Sequence, residues 1–195
     1  MTQAARPARA ARAPRRDAVR NYERIVEAAR DAFGESGADA CMEEIAARAG
    51  VGVGTVYRRF ASKDALIDEL LRLAMAELTT AAGHALARDD GHGLDELLRA
   101  LGQSFADHAS YAHLLLERQP DADAARRLRT AMQELTARAA AAGTIGPSVT
   151  IDDVMALVRA MRGLAHDSGA HVMDDWQRFL DIHLTGLRAG SSAGR

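Results

Sequence analysis

The stretch Ile45-Ala46-Ala47-Arg48-Ala49-Gly50-Val51-Gly52-Val53-Gly54-Thr55-Val56-Tyr57-Arg58-Arg59-Phe60, continued by Ala61-Ser62-Lys63, decides the fold. It reads as two short helices around a tight turn. Ile45, Ala46 and Ala49 put small apolar groups on one helical face. Gly50 ends that helix, because glycine takes positive φ at no steric cost. Val53, Val56 and Phe60 follow at i, i+3 and i+7, the inner face of a second short helix. Tyr57, Arg58 and Arg59 are left to project elsewhere. Two helices joined by a glycine-containing turn, the second carrying outward donors, make the helix-turn-helix arrangement that fits a DNA major groove.

The charge of the stretch agrees with that reading. From Arg48 to Lys63 there are four cations and no anion, whereas the whole chain carries 25 Lys+Arg against 27 Asp+Glu. The chain is therefore not broadly basic, and what counts is a local patch able to meet phosphates. Ser62 is placed to cap the next helix, which puts Lys63 in its first turn. A cation there opposes the helix dipole at a cost of roughly 0.3–1 kcal/mol. A phosphate nearby reverses that sign; an ordinary solvated lysine is the plain alternative.

These residues resemble a known family. Glu44-Ile45-Ala46, Ala49-Gly50-Val51, Gly54-Thr55-Val56-Tyr57 and Phe60-x-x-Lys63 are similar to the DNA-binding motif of TetR-type (tetracycline-repressor-like) bacterial regulators. The resemblance covers about residues 20 to 70; beyond them only length and an all-helical pattern agree. It implies that Gly54, Tyr57 and Lys63 meet phosphates, and that Val53, Thr55, Arg58 and Arg59 face bases or backbone. Two positions depart from the family's frequent Ser or Thr, namely Cys41 and Gly52. Cys41-Met42-Glu43-Glu44 has the form of a capping box with a weaker thiol, from which Glu44 can reach back to the cap amide. Gly52 as a cap is only a few tenths of a kcal/mol worse than Ser, but it removes a hydroxyl and leaves more to backbone amides. Gly52, Met42 and Arg48 complete the candidate DNA-binding set.

Composition limits the rest. A chain of 195 residues makes one domain or two small ones. Alanine, leucine and arginine dominate and β-branched runs are missing, which favours helices throughout. The single cysteine cannot form an internal disulfide, which fits a reducing cytosol and a cytoplasmic protein. No uncharged apolar run approaches the ~18 residues of a membrane span. With no strands there is no strand-borne phosphate loop, and no cofactor is expected.

The expected organisation is all-α, with about nine helices. Residues 1–17 read as an Arg/Ala/Pro-rich disordered tail, 18–63 as the helix-turn-helix unit, 64–189 as a ligand-sensing and dimerisation domain, and 190–195 as a frayed end. Six arginines against one aspartate in the first 20 residues allow a solvated tail or an arm that follows DNA into the minor groove. A first helix over about Val19 to Glu35 carries the stripe Tyr22, Ile25, Val26, Ala29 and Phe33 and packs beneath the helix-turn-helix. A fourth, from Lys63 to about Leu86, has a wide apolar face and links the two halves. Further helices are expected over about 94–109, 111–118, 121–142, 150–166 and 174–187.

The second half offers weaker signals. Val154, Leu157, Val158, Met161 and Leu164, and then Trp176, Phe179, Leu180 and His183, form two apolar stripes. Each belongs either to the monomer core or to a dimer interface, and the resemblance implies a four-helix bundle between two subunits. A two-fold dimer reads two half-sites roughly 34–36 Å apart. The resemblance also implies a small-molecule pocket among the middle helices. Gln103, Ser104, His108, His113 and Arg118 are its candidate polar lining, with surface or capping roles as the alternative. Met75, Met132, Met155 and Met161 are either adaptable lining or core filler. Ser104 and His108 share a helical face, but no glycine elbow surrounds the serine, so a nucleophile is not expected. His166, Asp167 and His171 fit no strong metal-ligand spacing. Cys41 is a cap substitute rather than a redox sensor.

Together these expectations describe a homodimeric repressor, released from a palindromic duplex operator by a small-molecule effector. A ligand-independent DNA-binding regulator, and a small helical enzyme or metal protein, are the alternatives.

Overall fold

The chain divides into two units, Met1–Leu66 and Ile67–Arg195. The computed structural model describes residues 12–167 and 176–189, and every regular element among them is helical. The expectations for residues 1–11 and 190–195, and for His171, lie outside the described residues.

In the first unit, α1 spans Arg12–Ser36 and a 3-10 turn spans Gly37–Asp39. Next come α2, Met42–Ala49, and α3, Val53–Arg59. Helix α1 starts seven residues before the expected Val19. Pro14 lies in its first turn, where backbone N–H groups have no intrahelical partner and a proline removes nothing. The stripe expected on α1 is the core: Ile25, Ala29 and Phe33 are buried. Met42, Ile45, Ala46 and Ala49 of α2 and Val56 of α3 are buried too, and α2 packs against both α1 and α3.

Gly50 ends α2 as expected, with φ 61° and ψ 40°. Its N–H donates to Ala47 O at 3.1 Å and the Val51 N–H donates to Ala46 O at 3.0 Å. This pairing is the Schellman arrangement, which satisfies the last carbonyls of a helix and turns the chain sharply. The capping box expected at Cys41 does not form. Cys41 is the N-cap residue without a side-chain bond, and Glu44 turns to Arg48. Arg48 holds the carboxylate that the box would give to the Cys41 backbone N–H, and the thiol is a weak acceptor for the Glu44 N–H.

The second unit is built around α5, Gly93–Asp107. Leu94, Leu97, Leu98 and Leu101 on α5 are all at most 2% exposed, the signature of a central helix. It packs against α7 (Ala122–Ala141), α8 (Ile151–Asp167) and α9 (Trp176–Ala189). Helix α4 runs Lys63–Leu86 and adds Leu78, Ala82 and Ala85 to the same core. A 3-10 turn, Ala109–Tyr111, and the short α6, Ala112–Leu116, complete the unit.

Local chemistry sets the helix starts. The Ala65 N–H donates to Ser62 Oγ at 3.1 Å, the cap expected for α4. Asp121 accepts from the Ala124 N–H at 2.8 Å to begin α7. Thr150 and Asp153 make a reciprocal box at α8, with Asp153 Oδ2 accepting from the Thr150 N–H at 2.8 Å. One glycine is demanded by packing. A Cβ at Gly102 would stand 2.3 Å from the Trp176 ring and 2.8 Å from Met161 Cε. Trp176 therefore seats directly on the α5 backbone.

The two stripes considered for a dimer interface resolve differently along their length. Val154, Leu157, Met161, Trp176 and Leu180 are buried within the chain's own core. Phe179, Val158 and Leu164 are half-buried, and His183 is exposed. The outward face of α9 instead carries Ile182, 59% exposed. Among the methionines, Met132 and Met161 are core filler.

Candidate nucleic-acid interface and interior cavity

Helix α3 is held by Val56, which is fully buried, and by Phe60 just beyond its end. One helical face is thereby fixed inward and the other is presented outward. Val53 and Tyr57, four residues apart, are 39% and 46% exposed. Gly54 and Arg58 are exposed beside them, and Thr55 is half-buried. Arg58 Nη2 donates to Thr55 Oγ1 at 3.1 Å, which steadies the guanidinium along its own helix.

Gly52 and Gly54 have no internal reason to be glycine. Neither has positive φ, and a Cβ at either would meet nothing within 4 Å. A glycine inside a helix costs about 1 kcal/mol relative to alanine. The helix therefore carries a stability cost at Gly54 that nothing in the fold requires, and it leaves backbone accessible from outside.

The four cations of the motif differ in what holds them. Arg48 is committed. Its Nη1 donates to Glu35 Oε1 at 2.8 Å, and Nη2 donates to Glu35 Oε2 and Glu44 Oε1. These bonds raise the Arg48 pKa, and the same Arg48 hydrogen bonds hold the Glu35 carboxyl below its ordinary range. Two carboxylates on one guanidinium leave no net positive charge there. Arg48 thus fastens α2 to the end of α1. The Met42 side chain is 4% exposed and lies in the core. Only its backbone amide, in the first turn of α2, remains for an outside acceptor.

Arg59 lies over the Tyr22 ring, 4.8 Å from the centroid, and 5.6 Å from that of Phe60. The two rings are themselves 6.2 Å apart. This sandwich pins the end of α3 to α1, and the sequence offered no sign of it. Lys63 is half-buried and its Nζ donates to the Ala38 carbonyl in the 3-10 turn. That bond gives an internal reason for a cation at a helix start and uses one of three ammonium donors. Arg24, not singled out in the sequence, donates to the Gly50 carbonyl at 3.5 Å.

The second unit contains a cavity of about 150 Å³ between α4, α5, α6 and α8. Leu71, Ala74, Met75, Leu78, Phe105, Leu115 and Leu116 form its apolar walls. Ser104, His108 and Arg118 line it, as expected, and Arg162 joins them from α8. Gln103 does not: it is exposed, and its Nε2 donates to Asp107 Oδ1 at 2.7 Å. His113 is half-buried outside the lining. Next to the cavity lies an open groove of about 590 Å³ between α4 and the start of α7, sharing Leu71, Met75 and Pro120 with it.

His108 is buried, and its Nδ1 sits 2.5 Å from the Ser104 carbonyl oxygen. A carbonyl only accepts, so the proton resides on Nδ1. That nitrogen cannot then take a proton from Ser104 Oγ, 3.4 Å away. The pair is arranged as a capped helix end and not as a nucleophile with its base.

Comparison with known proteins meets this geometry at both ends of the chain. Residues 25–70 match the family model for bacterial regulatory proteins of the tetR family. Residues 91–189 match the model of the SbtR-like transcriptional regulator C-terminal domain. No curated protein matches. Among solved structures, a TetR transcription regulatory protein from Mycobacterium vanbaalenii is 30% identical, with 90% of this chain and 99% of that one covered at a TM-score of 0.65. A TetR transcriptional regulator from Streptomyces coelicolor is 31% identical, covering 85% and 97% at 0.63. A ketosteroid transcriptional regulator of Mycobacterium tuberculosis, 22% identical over 86% and 94%, shares the fold at 0.66.

Proposed function

Because the chain belongs to the TetR family of DNA-binding bacterial transcription regulators, we propose that it is a homodimeric repressor that leaves a palindromic operator when a small-molecule effector binds. The observation that carries this reading is the outward face of α3. Val53, Gly54, Tyr57 and Arg58 stand together on a helix backed by buried Val56, with no carboxylate between Arg48 and Lys63. Tyr57, Gly54 and Lys63 meet phosphates, while Val53, Thr55 and Arg58 meet base edges or backbone. Arg59, stacked on Tyr22, holds the helix end and supplies long-range attraction.

Dimerisation follows from the size of the reader. One seven-residue helix covers too little DNA for tight specific binding, and a two-fold pair covers two half-sites. The exposed face of α9 around Ile182, together with α8, is the proposed contact. The effector occupies the cavity lined by Ser104, His108, Arg118 and Arg162. Helix α4 contributes Leu71, Ala74, Met75 and Leu78 to that cavity and begins at Lys63. It is the covalent route by which an occupied cavity alters DNA affinity. By linkage, DNA weakens effector binding by the same factor. Such a protein works in the cytoplasm, where its operator lies.

The test is stoichiometry joined to transcription. Sedimentation of the purified chain on its selected duplex is expected to give two chains per site. A reporter behind that site is expected to fall when the chain is supplied. One chain per site, or a reporter that rises, contradicts the proposal.

A further inference from the structure

The polar side chains that line the 150 Å³ cavity include cations and no anion. Ser104 and His108 are hydrogen-bonding groups, Arg118 and Arg162 are guanidiniums, and no lining residue is acidic. The remaining walls are aliphatic or aromatic. A cationic ligand would face two like charges there. A neutral hydrocarbon would use neither guanidinium, since Arg118 would keep its contact with Asp68 and Arg162 its exposure to water. We propose that this cavity takes a small organic carboxylate, with an apolar body of about one ring and an anionic head that Arg118 and Arg162 receive. The proposal rests on the effector reading above and names the chemistry of that same site.

Size fixes the body. A dry apolar cavity of about 150 Å³ holds one benzene ring. Leu71, Met75 and Phe105 offer such a ring apolar contact on several sides.

Arg118 also supplies a route for coupling. Its Nη1 stands 3.4 Å from Asp68 Oδ1 on α4. A well-made guanidinium–carboxylate bond is about 2.7–2.9 Å long, so this pair is loose. Arg118 is the more buried partner and Asp68 the more exposed, with side chains 27% and 59% accessible. A ligand carboxylate approaching from the cavity side meets Arg118 with less competition from water than Asp68 does. Binding then draws Arg118 from Asp68 towards the ligand and loosens this tie between α4 and the segment that joins α6 to α7.

The experiment uses the full chain at neutral pH and three matched pairs: benzoate and benzamide, phenylacetate and phenylacetamide, hexanoate and hexanamide. Calorimetry reads binding, and fluorescence anisotropy of the selected duplex reads release. At least one acid is expected to bind tenfold or more tightly than its amide, as a charge-assisted pair requires. The R118Q and R162Q variants together are expected to remove that preference. D68N is expected to raise acid affinity about threefold or more, by removing the competitor, and to leave amide affinity unchanged. Acids and amides bound within threefold of each other would overturn the carboxylate assignment. So would failure of all six to bind, or an acid preference that survives the double arginine variant. Acid binding with the expected preference but no change in DNA affinity would support the ligand class and would instead overturn release by effector.

Discussion

The Arg59 guanidinium lies 4.8 Å above the centroid of the Tyr22 ring, joining the end of the outward-facing helix to the long first helix. The two residues are 37 positions apart in the chain. A partly exposed cation–π pair contributes about 0.5–1 kcal/mol. A double-mutant cycle with Y22L and R59Q, read by urea denaturation, is expected to return a coupling of that size. Additive single effects would mean that the stacking contributes nothing to the fold.

Gly54 separates stability from function. With open space around its missing Cβ, G54A should stabilise the chain by roughly 0.5–1 kcal/mol. On the proposed phosphate contact at Gly54 the same methyl obstructs the approach, so DNA affinity should fall about tenfold. A stabilised variant that binds DNA as well as the parent would remove the phosphate contact assigned to Gly54.

Lys63 has one proton donated to Ala38 and two left over. If these reach a phosphate, K63A flattens the dependence of log affinity on log salt by about one unit per half-site contact. It weakens all sequences equally, because phosphates carry no sequence information. A change in thermal stability alone, with the salt slope intact, would confine Lys63 to its bond with the turn.

Gly102 seats Trp176. G102A places a methyl inside the contact distance of the ring and of Met161, so overpacking should cost about 1–3 kcal/mol. Trp176 is the only tryptophan, so its emission reports the disturbance directly. Unchanged emission and unchanged stability would show that α5 and α9 have room to separate.

Acid should destabilise the chain in a defined window. Hydrogen bonding from Arg88, and then from the His92 backbone, holds the Asp90 carboxyl down at about 2 against an ordinary 3.8. Thr150 lowers Asp153, and Arg48 lowers Glu35. Between these folded and ordinary values the unfolded chain binds more protons than the folded one. The stabilisation is therefore present above the ordinary value and lost as pH falls through the folded one. D90N should reduce the slope of stability against pH between about 4 and 2; an identical slope would leave Asp90 without a part in it.

What could be read from the sequence was local. Gly50, Ser62 and Leu86 mark element ends by chemistry that lies within a few residues of each, and those ends are where the sequence put them. The start of α1 at Arg12, ahead of Pro14, lay inside the stretch read as a disordered tail, because the effect of a proline depends on its place in the helix, which its neighbours do not reveal. Arg48 looked like a free cation because one of its carboxylates, Glu35, lies 13 residues upstream. Ala38 was hidden from Lys63 in the same way, 25 residues away. In the second unit, periodicity identified apolar faces without saying what covers them. Trp176 and Leu180 could serve either a core or an interface until α5 was seen against them. Ser104 and Gln103 are neighbours, yet one lines the cavity and the other faces Asp107, since adjacent helical positions point about 100° apart. Arg162 was missed because only the packing of α8 against α5 and α6 brings it there.

The central claim is that two copies of the α3 face read duplex DNA through symmetry. Selection of bound fragments from a random duplex pool by the full chain tests it most directly. The expected product is an inverted repeat whose half-sites lie about one helical turn apart, roughly 34–36 Å, and whose enrichment is lost with R58A. A final pool indistinguishable from the starting one, or a motif without two-fold symmetry, would contradict it.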